Sequence, residues 1–253
     1  MGVSPLSLLT IAASGLVAQT RIVEVTANNL ANTNTPGFKA SRANLQDVRA
    51  TQVQPPGVAL GAGVQLASVS RDFSQGVVAE TGNPLDLAIE GSGFFEIQLA
   101  DGRRAYTRDG SFRLDSSGRL VSTDGLVVSP GITLPAGAQD ISVAANGVVS
   151  ARQVDGTIVP IGTLNLVRFA NPDGLQNLGN NLFLETPASG APQVGTPGAM
   201  GLGRIHSGAL EGSGVDMANE FVNMLVAQRS YSLSLRVIQS LDEMQRQANG
   251  MLS

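Results

Sequence analysis

The chain has 253 residues, enough to bury a sizeable core as one large domain or two small ones. Its formal net charge is -4, only 14% of residues are charged and both signs are interspersed, which leaves no basic face for nucleic acid or for anionic lipid. Cysteine is absent and His206 is the only histidine, so thiol chemistry, disulfides and ordinary zinc sites are excluded.

The first apolar run, Leu6 to Ala18, has no Lys or Arg before it, and the first basic residue is Arg21. That order is wrong for a secretory signal, so an uncleaved amino terminus is expected. Ser7, Thr10, Ser14, Gly15, Gln19 and Thr20 break the run well short of the ~20 apolar residues a bilayer requires, so no direct membrane insertion is expected. From Leu9 a seven-residue repeat reads Leu9, Leu16, Val23 and Leu30, with Ala13 and Ala27 at the half-steps and Thr20 as the polar exception. The spacing predicts a helix of about 28 residues, roughly 42 Å long, whose thin coiled-coil stripe suits packing against other helices.

That repeat runs into Asn28, Asn29, Leu30, Ala31, Asn32, Thr33, Asn34, Thr35, Pro36, Gly37 and Phe38 and cannot run past them. The asparagines compete with the backbone for hydrogen bonds, Pro36 biases Thr35 away from the helical region, and Gly37 permits a reversed turn. Residues 36–75 are expected as an extended connector, with Gln54-Pro55-Pro56-Gly57 through Gly63 a connector rather than a core element.

Residues 76–207 have a different texture, of short apolar segments broken by turn dipeptides. Asp101-Gly102, Asp109-Gly110, Ser117-Gly118 and Asp124-Gly125 frame Arg104 to Thr107, Phe112 to Leu114 and Leu120 to Val121, which is the spacing of a β-meander. Phe94 to Leu99, Ile141 to Val143, Val148 to Ala151, Leu164 to Phe169 and Leu182 to Leu184 are further predicted strands, and Gly190 to Gly203 is expected to be extended. From 208 to 253 the helical period returns: Met217, Phe221, Met224, Gln228, Tyr231, Leu235 and Ile238 alternate in steps of four and three, widened by Leu225 and Leu241. A helix from about Val215 to about Asn249 is predicted, with Ser213 and Asp216 as a capping box and Asn249-Gly250 as its stop. The fold class is α+β, with long terminal coiled-coil helices flanking a β-rich body of antiparallel strands.

Reactive motifs are missing: the sequence has no Gly-x-Ser-x-Gly elbow, no phosphate loop ending in Gly-Lys-Ser/Thr and no His-Glu-x-x-His. Gly91-Ser92-Gly93 is followed by a strand pattern, so it lacks the helix terminus a phosphate would need. Asp101, Asp109, Asp124, Asp155 and Asp173 each precede glycine, where turn geometry explains them without a paired-carboxylate site. No catalytic, cofactor-binding or metal residue is assigned and no enzymatic activity is expected. The helical stripes leave two readings open, an antiparallel hairpin within one chain or association between chains. Even a hairpin would leave Val222, Leu225 and Leu233 wanting cover.

The stretch Ala27-Asn28-Asn29-Leu30-Ala31-Asn32 with Pro36-Gly37-Phe38 resembles the signature of the bacterial flagellar rod and hook proteins. Thr81 to Phe95, then Tyr106 to Phe112, are similar to that family's body domain, and Glu211 to Asp216 with Glu220, Val222, Gln228, Arg229 and Tyr231 to the start of its terminal helix. The resemblance covers nearly the whole chain in family order. It is greatest to members of the distal rod, through Leu166 to Asn171, Asn180 to Thr186 and Ser189 to Pro192. Asp47 to Gly63 is shorter than the distal-rod pattern, however, and Gln247 to Ser253 is closer to the proximal one.

The resemblance implies a structural subunit that polymerises with itself into a helical tube carrying torque from motor to hook. It also implies a position in the basal body, in the rod crossing the periplasm. The partners implied are neighbouring rod and hook subunits, the surrounding ring (bushing) proteins and the flagellar export apparatus. Leu9, Leu16, Val23, Leu30, Phe221, Met224, Leu225, Leu235 and Ile238 are the expected assembly seam. A proximal-rod or hook-type subunit is the alternative within the family. A secreted β-rich binding domain is the alternative outside it.

Overall fold

The computed structural model describes residues 5–48, 61–135 and 137–250. Two compact units form, each from separated stretches of chain: one holds both long helices and a two-stranded ribbon, the other Asn32–Ala40 with Asp72–Val215. The fold is α+β, as the alternation of helical and strand periods required.

In the first unit, α1 spans Pro5–Ala31 and α2 spans Met217–Gly250. They pair antiparallel: Asn29 bonds Glu220 at 3.0 Å, while Gly15, a helical span earlier, lies against Ser234, later in α2. The hairpin that the sequence left open is therefore the arrangement within the chain. Its most buried side chains are small or polar, namely Ala18, Thr26, Asn29 and Ala227. Small side chains let helix backbones approach closely, so this pairing consumes little of the apolar surface that the heptad pattern advertised. The cap of α2 is Asp216, whose Oδ1 accepts from the amides of Ala218 and Asn219 at 3.0 and 3.2 Å. Ser213 is not the cap, since its hydroxyl is buried without a hydrogen-bond partner.

The expected connector 36–75 differs from expectation. Strands β1 (Ser41–Asp47) and β2 (Val64–Arg71) pair antiparallel from Ser41 opposite Arg71 to Asp47 opposite Val64, with a bulge at Asn44/Leu45. Ser14 of α1 accepts the Val64 amide at 3.1 Å, which docks the ribbon on the helix. A polar sequence such as Ser-Arg-Ala-Asn-Leu-Gln-Asp hides this strand, because its pairing is satisfied by backbone and by Asn44 bonding Ser68 and Ser70 rather than by an apolar face. The Gln54 to Gly57 part of the predicted connector lies outside the described residues.

The second unit is all antiparallel in its described pairings. Its largest sheet runs from the hairpin 176–179/182–184 through 104–107, 94–98, 127–128 and 120–122 to 112–114, with 166–168 joining beside Phe94 and Phe95. A three-stranded meander comprises 138–143, 148–153 and 158–163. Two short pairs close the unit, 87–90 with 204–207 and 78–80 with 209–211. Phe94 and Phe95 point to opposite faces of their strand, so both faces are buried. Phe95 enters an aliphatic core with Leu87, Ile89, Ile97 and Leu166, while Phe94 joins Tyr106, Val167, Phe169 and Phe183.

Three of the four predicted turn glycines, Gly102, Gly118 and Gly125, have positive φ. Gly110 does not. A Cβ on Gly110 would run into the Leu87 carbonyl, and its own carbonyl accepts the Leu87 amide at 3.0 Å, so it is a close-approach glycine rather than a turn.

Candidate functional site

Two features stand out, the outer face of the helix pair and the junction where the chain leaves the β body. On the helix pair, Leu9, Leu16, Val23 and Leu30 are half-buried, as are Met224 and Ile238. Phe221, Leu225 and Leu235 are 47, 54 and 37% exposed. Val222, Val226 and Leu233 join them in the open, which makes α2 an unusually apolar surface. The faces of α2 turned inward carry Met224, Ala227, Ser230, Ser234 and Ile238 instead.

At the junction, the helix-exit residues divide their work between the two units. In the first, Asn29 is buried inside α1 rather than ending it. Its Nδ2 donates to the Ser41 carbonyl at 2.8 Å and to Glu220 Oε1 at 3.0 Å, and its Oδ1 accepts the Ser41 amide at 2.8 Å. One side chain thus ties α1, β1 and α2. The helix stop is made by Asn32, whose carbonyl and Oδ1 accept from Thr35 N and Oγ1, both at 3.1 Å.

In the second unit, Pro36, Gly37, Phe38 and Lys39 are built into the β body. Asn181 donates to the Pro36 carbonyl at 3.0 Å, the Gly37 amide to the Glu211 carbonyl at 2.8 Å, and the Gly214 amide to the Phe38 carbonyl at 2.9 Å. Gly37 has φ 66°, and a Cβ there would sit 2.5 Å from the Asp109 amide nitrogen, so both backbone shape and space demand glycine. Beneath it lies a buried charge cluster. Lys39 Nζ reaches Glu211 Oε1 and the Ser74 carbonyl, each at 2.6 Å; Arg108 Nη1 lies 3.3 Å from Glu211 Oε2, and its Nη2 donates to the Gly91 carbonyl at 2.8 Å. The Gly76 amide adds a bond to Glu211 Oε1 at 2.8 Å, and Arg108 stacks over the Phe94 ring. Burial pulls the Lys39 ammonium below the ordinary lysine range, against the opposing attraction of Glu211.

Sequence reasoning found Asn29 and Gly37 but missed the partners. Lys39 and Glu211 are 172 positions apart, and nothing local pairs them. One signal was available: Lys39 is the only lysine among 16 Lys and Arg residues. His206 lies exposed on its strand opposite Ala88. Gly91-Ser92-Gly93 leads into the strand at Phe94, with the Gly91 carbonyl taken by Arg108. The Asp101, Asp109 and Asp155 carboxylates accept amides two residues on, as turn residues do. Among the described residues no group of three or more His, Asp or Glu is placed to hold a metal ion, and no helix is long and apolar enough to cross a membrane.

Three parts of the chain match protein families: "Flagella basal body rod protein" over residues 9–39, "Flagellar hook protein FlgE/F/G D1 domain" over 88–151 and "Flagellar basal body rod FlgEFG protein C-terminal" over 206–251. The chain is 42% identical over 249 residues to the flagellar basal-body rod protein FlgG of Buchnera aphidicola subsp. Baizongia pistaciae, covering 93% of this chain and 96% of that one. It is 43% identical to the FlgG protein of Agrobacterium fabrum, covering 93 and 95%, and 35% identical to the flagellar basal-body rod protein FlgF of Salmonella typhimurium, covering 90 and 91%.

Proposed function

The chain belongs to the flagellar basal-body rod protein family, and on that premise we propose that it forms the distal rod by polymerising through its helix pair. It is a structural subunit of the bacterial flagellar basal body and not an enzyme; the match along more than nine-tenths of each relative sets aside a secreted binding domain. The observation that carries the assembly reading is the apolar surface of α2, where Phe221, Val222, Leu225 and Leu233 are roughly half exposed in the single chain. A subunit in an open helical array needs heterologous contacts, and this face together with Leu9, Leu16, Val23 and Leu30 supplies them. Torque then passes along the tube from motor to hook.

The distal position is supported by identities of 42 and 43% to two FlgG proteins against 35% to the FlgF protein. A proximal-rod or hook-type place is the second reading, favoured by the short Asp47 to Gly63 stretch. Ring proteins and the export apparatus are its further proposed partners, with export through the flagellum. The test is Leu16→Asp, which introduces an unpaired charge into a packed helix face. It should abolish polymerisation in sedimentation while leaving the strand signal in circular dichroism unchanged, and a variant that still forms filaments refutes the seam. A filament reconstruction that traces 47–63 decides the rod position.

A further inference from the structure

The segments by which the chain leaves the β body, Gly37–Lys39 toward α1 and Glu211–Gly214 toward α2, lie side by side and are tied at every level. Backbone bonds join Gly37 to Glu211 and Gly214 to Phe38, and below them the Lys39, Glu211 and Arg108 side chains are 0, 0 and 5% exposed. Hydrophobic residues would hold such a seam at least as stably as buried charges do. What the charges add is direction. The contacts are hydrogen-bonded, at 2.6 to 3.4 Å, and tie in two further segments, through the Ser74 carbonyl and Gly76 amide and through the Ile89 and Gly91 carbonyls.

We propose that Lys39, Glu211 and Arg108 form a mechanical clamp that locks the two exit segments together, so that load arriving through either helix enters the β body at one point. The clamp closes a loop of chain that contains the ribbon of 41–71 and the body from Asp72 to Glu211, and it shields that loop from tension applied at the ends. Its use under load rests on the rod reading; the clamp itself does not.

The test holds the full chain by its two ends in an optical trap. The helices yield first, and the body should show no lengthening until the clamp breaks, after which a loop closed over 172 positions releases roughly 60 nm at about 3.5 Å per residue. Lys39→Met should lower the breaking force without changing the released length. Lengthening of the body in steps before that event, or an unchanged force in Lys39→Met, overturns the proposal.

A chemical readout covers variants that do not fold. Because Lys39 is the only lysine, amine-directed acylation of the native chain should modify the terminal amine and spare Lys39. Glu211→Gln should speed Lys39 acylation at least about tenfold, through opening of the clamp. Native Lys39 acylating as fast as in the urea-unfolded chain refutes the clamp with no variant needed. A chain that passes both tests yet never polymerises keeps the clamp and refutes the rod reading instead.

Discussion

Replacing Asn29 by alanine removes three hydrogen bonds at one stroke, two with the Ser41 backbone at 2.8 Å and one with Glu220 at 3.0 Å. Each bond of this kind is worth about 1 kcal/mol net, and more where a partner is left dry. Asn29 is 1% exposed, so water does not replace the amide fully on the Ser41 side, whereas Glu220 is only half-buried and recovers part of its loss. The expected cost to the helix and ribbon unit is therefore about 3 kcal/mol, or roughly two orders of magnitude in its opening equilibrium. Hydrogen exchange at the Ser41 amide reads this directly, because that amide donates to Asn29 Oδ1. Asn29→Asp is the control. It keeps an acceptor for Ser41 but loses the donor and sets a carboxylate beside Glu220, so it should be no better than alanine. If Asn29→Ala accelerates Ser41 exchange less than tenfold, or if Asn29→Asp is harmless, the three-way tie is not what holds α1, β1 and α2 together.

Gly37→Ala should cost the β body at least ~2 kcal/mol, from a left-handed backbone combined with a clash against Arg108 and Asp109, and a thermal melt of the body unchanged within 1 °C would count against it. Asp216→Ala should destabilise the start of α2 by about 1 kcal/mol, seen as fraying of Ala218 and Asn219 amides by exchange. The Asp115 carboxyl is held below the usual range chiefly by the Arg119 amide; burial opposes this, and the Arg119 side chain and the Ser117 amide reinforce it. Its folded pKa is depressed, so this turn is stabilised above about pH 4, the ordinary carboxyl value, and loses that support as pH falls through the lower folded value. A carbon-detected titration that finds Asp115 at the ordinary value would contradict the geometry.

What the sequence revealed and what it hid divide along physical lines. Strands 104–107, 112–114 and 182–184 were read at their observed bounds, the first two because Asp-Gly and Ser-Gly dipeptides frame them. Strands 204–207 and 209–211 were not, since they sit in glycine-rich chain whose pairing partners, 87–90 and 78–80, lie more than a hundred residues away. The helices were legible as helices, but not their mating face. Apolar periodicity marks where greasy surface lies, whereas Gly15, Ala18, Ala227 and Ser234 mate by closeness, which leaves no hydrophobic signature. Asn29 reads from the sequence as part of the helix stop, and its partners, Ser41 and Glu220 of two other elements, could not be read from its neighbours.

The lone lysine has a consequence for how the molecule comes into being. A chain made from its amino end presents Lys39 long before Glu211 exists. Any product that stops short of Glu211 has no carboxylate of that strand with which to bury the ammonium, and an unpaired ammonium is not tolerated in a dry interior. Such a fragment keeps its first exit segment unsealed, whatever the rest of its strands have managed to form. The body therefore carries its own check on completeness: only a chain long enough to include its last strand can close over its first.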